Sequence, residues 1–334
     1  MSLRRLDQKL TKIANGSYKP TDFILADAKD GEMGGGIQVA GWTYDADNKI
    51  NGHKPYSTYK DAIIEMTKTD LVDIMLMAPS MSEKLHRTGL FHGSQVTPAM
   101  RLNEATDIWG CRGSSYNKEP ARNFRTADLE LGINFADLGL YSVTFYNDLE
   151  IDTAALDGYS QFRDEARDVG MRHFLEVFAP AFEIDNGNAS LADYMNDCIV
   201  RCLAGVFSVE NPLFLKMPFL GAKAMEDLAS YDPQRIIVGI LGGSAGTARD
   251  TFELLSQAER YGGRAALFGR KINLAESPVT LVRLMRRVVE SDISTTDAVK
   301  TYHDELKRQG IRSLRSLEDD LQITEEVLKA EAQG

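Results

Sequence analysis

Three stretches of the chain place reactive side chains where a sheet could gather them. In Pro212-Leu213-Phe214-Leu215-Lys216-Met217-Pro218-Phe219 a lysine closes an apolar run two residues before a proline. Strand alternation puts Leu213, Leu215 and Met217 on one face and Phe214 and Lys216 on the other. If the second face lines an interior, desolvation disfavours the ammonium and lowers its pKa, which is what an imine-forming lysine needs. The competing reading is a strand-end lysine whose amine extends to water. Glu176 stands inside Phe174-Leu175-Glu176-Val177-Phe178. A glutamate is almost never buried without a partner, and burial raises its pKa toward the range useful for proton transfer. Asp27 ends Phe23-Ile24-Leu25-Ala26-Asp27, with Lys29 and Asp30 just beyond, and Tyr146-Asn147-Asp148 ends a later run. Lysine, acid and hydroxyl groups converging on one face would suit carbonyl and carbanion chemistry. Plain structural roles compete: helix N-caps for Asp27 and Asp148, a structural hydrogen bond for Tyr146. Asn103, at the end of another apolar run, is a further candidate.

The third stretch is Ile240-Leu241-Gly242-Gly243-Ser244-Ala245-Gly246-Thr247, with Gly269-Arg270-Lys271 following one strand later. Glycines let backbone N–H groups approach an anion, Ser244 can donate a hydrogen bond, and Arg270 adds charge. An ordinary turn is the alternative.

These segments need elements to hold them. Short apolar runs predict eight strands, over Phe23–Asp27, Val72–Met77, Ala99–Asn103, Ser142–Tyr146, His173–Phe178, Leu213–Met217, Ile236–Ile240 and Ala265–Gly269. Several are continuously apolar, as parallel strands buried on both faces are. Helical patterns intervene: Ser190-Leu191-Ala192-Asp193 resembles a capping box, Thr247–Arg260 stops at Gly262-Gly263, and Pro278 opens Val279–Val289. Eight alternations of strand and helix predict an α/β fold, a (β/α)8 TIM barrel, with its site at the C-terminal ends of the strands. A doubly wound sheet fits less well, because no Gly-x-Gly-x-x-Gly follows the first strand. Residues 1–290 are expected to form the barrel domain. Within them, residues 1–20 are an N-terminal segment outside the barrel proper, and residues 291–334 form a C-terminal helical extension packed on it. The extension reads as two amphipathic helices, one carrying Val299, Tyr302 and Leu306, the other Leu317, Leu321, Val327 and Leu328. Two long loops, Val39–Thr58 and Glu104–Glu119, follow the first and third strands. The former is a lid or a plain surface excursion.

Composition excludes several classes. The 334 residues hold 38 Lys+Arg against 49 Asp+Glu, a net charge of −11, which argues against a nucleic-acid groove. No apolar run is long enough to span a membrane, and the start lacks a signal-peptide core. Cys111, Cys198 and Cys202, and five histidines without paired ligand spacing, give no zinc pattern. A cytoplasmic protein with reduced thiols is expected, needing neither metal nor cofactor.

Taken together, Ile24-Leu25-Ala26-Asp27, Phe174-Leu175-Glu176, Leu215-Lys216-Met217-Pro218, and Gly242-Gly243 followed by Gly269-Arg270 resemble the class I, Schiff-base aldolase superfamily. That superfamily holds the archaeal-type fructose-bisphosphate, tagatose-bisphosphate and deoxyribose-phosphate aldolases. The pieces run in the right order from residue 23 to 270. The resemblance implies Lys216 as imine former, Glu176 as proton shuttle, Asp27 as a polar partner near the lysine, and the two late loops as a phosphate site. It departs after the first strand, where Asp27-Ala28-Lys29-Asp30-Gly31 replaces the family's Asp-His-Gly or Asp-Gln-Arg-Gly, so Asp27 and Asp30 compete for one role. It also departs at Gly269-Arg270-Lys271, where the family has Gly-Arg-Asn or Gly-Arg-Ala. The expected reaction is metal-independent aldol cleavage or formation in a phosphorylated sugar, by a homo-oligomer. The alternatives are a phosphate-binding isomerase or thiolase-like enzyme, and a barrel that binds a sugar phosphate without turnover.

Overall fold

The computed structural model describes residues 3–332. Eight parallel strands form the sheet: β1 (Ile24–Lys29), β2 (Ile74–Met77), β3 (Thr97–Arg101), β4 (Leu138–Thr144), β5 (Arg172–Phe178), β6 (Leu215–Lys216), β7 (Gly239–Leu241) and β8 (Ala265–Phe268). Each pairs with its neighbours in chain order, β8 returns to β1, and a parallel bridge between Met217 and Ile240 joins β6 to β7. The sheet therefore closes into the expected TIM barrel. Closure depends on the missing side chain of Gly239: a Cβ there would lie 2.4 Å from the Leu215 carbonyl oxygen and 2.9 Å from the Ala265 Cβ.

Strand alternation separates two cores. Ala26, Ala28, Ile74, Leu76, Ala99, Leu140, Phe174, Phe214 and Leu267 fill the lumen. Leu25, Met75, Met77, Val143, Val177 and Phe268 face the helices instead. The helical layer comprises α2 (Tyr56–Thr69), α3 (Pro79–His86), α4 (Leu149–Val169), α5 (Leu191–Ala204), α6 (Ala222–Tyr231), α7 (Ala248–Arg260) and α8 (Pro278–Val289). Between β3 and β4 the helix shrinks to Leu129–Gly132, so strand and full-length helix do not alternate eight times. That connection is spent instead on a long loop with a small antiparallel ladder, Glu104–Ala105 against Asn123–Phe124.

The N-terminal segment is part of the barrel's packing. Helix α1 (Arg5–Ala14) closes the lower end, with Leu6 and Ile13 in the luminal cluster. Arg5, Lys9 and Arg286 converge on the fully buried Asp73, at 2.6, 3.0 and 2.6 Å. Burial raises the Asp73 carboxyl, but these three cations outweigh it and hold it below the usual carboxylate range.

Beyond α8, helix α9 (Thr295–Arg308) packs on α7, burying Val299, Tyr302 and Leu306. The second expected helix is broken into Leu317–Asp320 and Glu326–Lys329, with Leu317 and Val327 exposed. The chain between them also bonds to the barrel. The amides of Thr324 and Glu325 donate to Asp250, and Thr247 Oγ1 donates to the Gln322 carbonyl. Asp320 accepts from the Ala248 amide at the start of α7 (2.8 Å), and Glu325 pairs with Lys271 (2.8 Å). Residues 316–329 thus form a strap over the loops that follow β7 and β8. Among the described residues no helix is long and apolar enough to cross a membrane.

Candidate active site

Adjacent strands β5 and β6 end with paired residues, Glu176 opposite Lys216. Both side chains take the luminal direction of Phe174 and Phe214. Lys216 Nζ lies 2.6 Å from Glu176 Oε1, with the two residues 6% and 1% exposed. Such a pair satisfies a buried carboxylate and sets an amine beside a proton carrier. Arg101, at the end of β3, reaches them over the intervening strand β4. Its Nη2 donates to Glu176 Oε2 (2.7 Å), its Nε to Asp30 Oδ2 (2.6 Å) and its Nη1 to Ser142 Oγ (3.0 Å). Burial raises the Asp30 carboxyl, but the charges of Arg101 and Lys216 and the Arg101 hydrogen bond hold it below the usual range. Burial lowers the Arg101 guanidinium, and Asp30 and Glu176 more than restore it.

Strand β1 runs two residues past its expected end, and this decides where its acids go. Ala26 and Ala28 fill the lumen, so Asp27 and Lys29 point outward into the helical layer, while Asp30 reaches the luminal side. Asp27 is fully buried 3.5 Å from Lys29, and its oxygens accept no hydrogen bond. Burial pushes its carboxyl up to about 6, against the pull of Lys29. Lys29, lowered by the same burial, donates to Asn273 Oδ1 (2.9 Å), and Asn273 donates to the Val39 carbonyl (2.6 Å). The pair therefore ties the loop after β1 to the loop after β8. Asn103 is also engaged: its Nδ2 donates to the Ser142 carbonyl and its Oδ1 accepts from the Ser142 amide.

A cavity of about 710 Å³ opens above this cluster. Asp30, Arg101, Glu176 and Lys216 line it, and so, on one side, do Gly242, Gly243, Gly269 and Arg270. Gly243 adopts φ +63, a left-handed conformation that favours glycine. Ser244 is exposed and absent from the lining, so the sequence-predicted anion group loses one member. The first amides of α7 are already taken by Asp320 and by the Thr247 hydroxyl, which leaves the glycine loops and Arg270 facing the cavity.

The opposite wall comes from the two long loops. Val39 and Trp42 line the cavity from the first, while Asp107, Ile108, Trp109 and Asn117 do so from the second. The second loop meets the connection after β1 where the Gly110 amide donates to the Gly34 carbonyl (2.9 Å). Tyr146 is not on the lining. Its hydroxyl donates to Asp107 Oδ2 (2.9 Å), as does Thr144 Oγ1 (3.0 Å). Burial raises the Asp107 carboxyl against these hydrogen bonds, and burial followed by the Asp107 charge raises the Tyr146 hydroxyl. Sequence reading passed over Arg101 and Asp107. A cation inside Ala99-Met100-Arg101-Leu102 is the same signal that marked Glu176; Asp107 sits in an irregular loop that carries no such contrast.

Neither models of protein families nor curated protein sequences match the chain. Solved structures do. An archaeal fructose 1,6-bisphosphate aldolase aligns over 86% of this chain and 99% of its own, with a TM-score of 0.63 at 14% identity. An archaeal fructose-1,6-bisphosphate aldolase with its catalytic lysine bound to the carbinolamine intermediate aligns over 85% and 99% (TM-score 0.62, 14%). The fructose-bisphosphate aldolase of Slackia heliotrinireducens aligns over 90% of both chains (TM-score 0.62, 12%). The protein therefore has a TIM-barrel fold, the fold it shares with these aldolases.

Proposed function

We propose that the protein is a metal-independent class I aldolase that cleaves or forms a carbon–carbon bond in a phosphorylated sugar. The observation that carries this reading is the buried Lys216–Glu176 contact at 2.6 Å on the cavity floor. In the cleavage direction the neutral Lys216 amine attacks the substrate ketone to give a carbinolamine. Glu176 passes a proton to the departing hydroxyl, water leaves, and a protonated imine remains. Asp107, its Oδ2 held by the Tyr146 and Thr144 hydroxyls, accepts the proton of the substrate hydroxyl as the bond breaks, and the imine takes the electron pair as an enamine. Protonation of the enamine and hydrolysis of the imine release the second product and restore the lysine. Asp30 holds Arg101, which in turn holds Glu176, so Asp30 rather than Asp27 takes the polar role near the lysine. The phosphate sits against Gly242, Gly243, Gly269 and Arg270. We place this reaction in cytoplasmic carbohydrate metabolism. We assign a homo-oligomeric state, supported by Leu149, Phe207 and Val209 on the exterior, which are 84%, 80% and 78% exposed.

The test is borohydride reduction in the presence of phosphorylated ketoses, followed by peptide mass spectrometry. A reduced adduct on Lys216, with Lys216→Ala folded but devoid of cleavage, is expected. No adduct with any ketose phosphate, or near-normal cleavage by Lys216→Ala, would sink the reading in favour of isomerase chemistry or binding alone.

A further inference from the structure

The cavity is electrostatically lopsided. Among the described residues that line it, the cations are Arg101, Lys216 and Arg270. Arg101 and Lys216 are committed to Asp30 and Glu176 at 2.6–2.7 Å. Arg270, beside Gly242, Gly243 and Gly269, makes no ion pair and is exposed. One end is thus built for one anion. The other end is walled by Gln38, Trp42, Asp107, Trp109 and Asn117, which bring a carboxyl and uncharged groups and no cation.

That far end also holds unmet hydrogen-bonding capacity. Asp107 uses Oδ2 for both Thr144 and Tyr146, and its Oδ1 has no partner. Trp109, two residues on, packs its ring against Phe124 and Tyr116, yet its Nε1 is buried and also unpartnered. Buried polar atoms are normally satisfied, and each one left alone is a cost. An acceptor and a donor two residues apart on the same wall are the complement of a hydroxyl, which donates once and accepts twice. A second phosphate would meet a carboxyl there instead, with no free cation to neutralise it.

We infer that the site takes a sugar monophosphate: the phosphate lies at Gly242, Gly243, Gly269 and Arg270, and an uncharged polyol end reaches Asp107 and Trp109. This deepens the aldolase reading by naming the substrate class, and it departs from the bisphosphates named for the structural neighbours. Asp107 and Trp109 are then the residues that set this selectivity.

The test uses the intact protein and ligands with no carbonyl, so it does not depend on imine chemistry. Binding of a hexitol 1-phosphate, the matching hexitol 1,6-bisphosphate and inorganic phosphate is measured by calorimetry. The monophosphate is expected to bind on the order of 100-fold more tightly than the bisphosphate. Trp109→Phe should weaken the hexitol 1-phosphate several-fold and leave inorganic phosphate, which reaches only the Arg270 end, as it was. Asp107→Asn should narrow the gap between mono- and bisphosphate. Equal or tighter binding of the bisphosphate, or of inorganic phosphate relative to the hexitol phosphate, overturns the inference. The absence of a borohydride adduct on Lys216 would instead overturn the aldolase reading and leave this ligand preference standing.

Discussion

Arg101 spends three of its N–H groups on Asp30, Ser142 and Glu176, and so fixes two carboxylates from different strands around one lysine. Replacing it with Met keeps a long side chain but leaves Asp30 and Glu176 buried with Lys216 alone. Breaking a buried pair on one side costs about 3–5 kcal/mol, so urea unfolding of Arg101→Met should show a loss of that order. Adduct formation on Lys216 should also slow, by roughly 100-fold or more, since Glu176 loses its fixed position. An Arg101→Met protein as stable and as reactive as the parent would remove Arg101 from the site. At this scale the sequence carried much of the site, for a physical reason: a charged residue inside an apolar strand stands out against its neighbours, as Lys216 and Glu176 do. Asp27 misled for the converse reason. Asp27-Ala28-Lys29 reads as a polar strand end, yet the opposite charges pair inside the helical layer, so β1 continues and the lumen receives Asp30.

Seams between elements are where single atoms decide packing. At β6–β7–β8 the Gly239 position has no room for a methyl group, so Gly239→Ala must push β7 away from Leu215 or Ala265. Overpacking of this kind costs about 1–3 kcal/mol. Because β6 carries Lys216, reactivity should fall along with the melting temperature; a variant that melts like the parent would show that the barrel can yield there. A second seam joins β5 to α4, where His173 bonds the Tyr159 hydroxyl at 2.9 Å and meets Phe162 edge-on. Burial, and then the charge of Arg163, lower the His173 pKa to about 4. Between about pH 6.5 and 4 the unfolded chain therefore binds a proton that the folded one refuses. Stability is whole above that window and falls through it on acidification, by roughly 3 kcal/mol in all. Unfolding free energies measured across this range should flatten in His173→Phe, and an unchanged slope would assign the acid sensitivity to other groups. The strands themselves were readable from apolar runs. The break in the second C-terminal helix was not, because hydrogen bonds from Thr324 and Glu325 to Asp250 made that decision; nor was the loss of a long helix after β3, where the connection forms an antiparallel ladder instead.

At the scale of the whole molecule the two ends of the barrel are closed by different means. Helix α1 seals the lower end with apolar side chains and the Asp73 cluster, whereas the strap of residues 316–329 braces the upper end through hydrogen bonds and one ion pair. Removing the strap would free the Ala248 amide and leave the buried Lys271 without Glu325, next to the loops that hold Gly243 and Arg270. A chain truncated after residue 312 is expected to melt lower and to bind hexitol 1-phosphate about ten-fold or more weakly. The Lys216–Glu176 contact, which the strap does not touch, should remain competent for the adduct with small carbonyl compounds. Loss of both functions together would mean that the strap supports the whole barrel rather than one rim.

The strap is translated after all eight strands. Domains made on the ribosome tend to fold from the N-terminal side onward. The barrel can therefore close, with Lys216 in place, before the segment that braces the loops after β7 and β8 has left the ribosome. On the proposed reading, a nascent chain would then hold the Lys216 amine in a cavity whose glycine-loop rim is still unbraced, and its grip on a ligand would tighten only once residues 316–329 have docked.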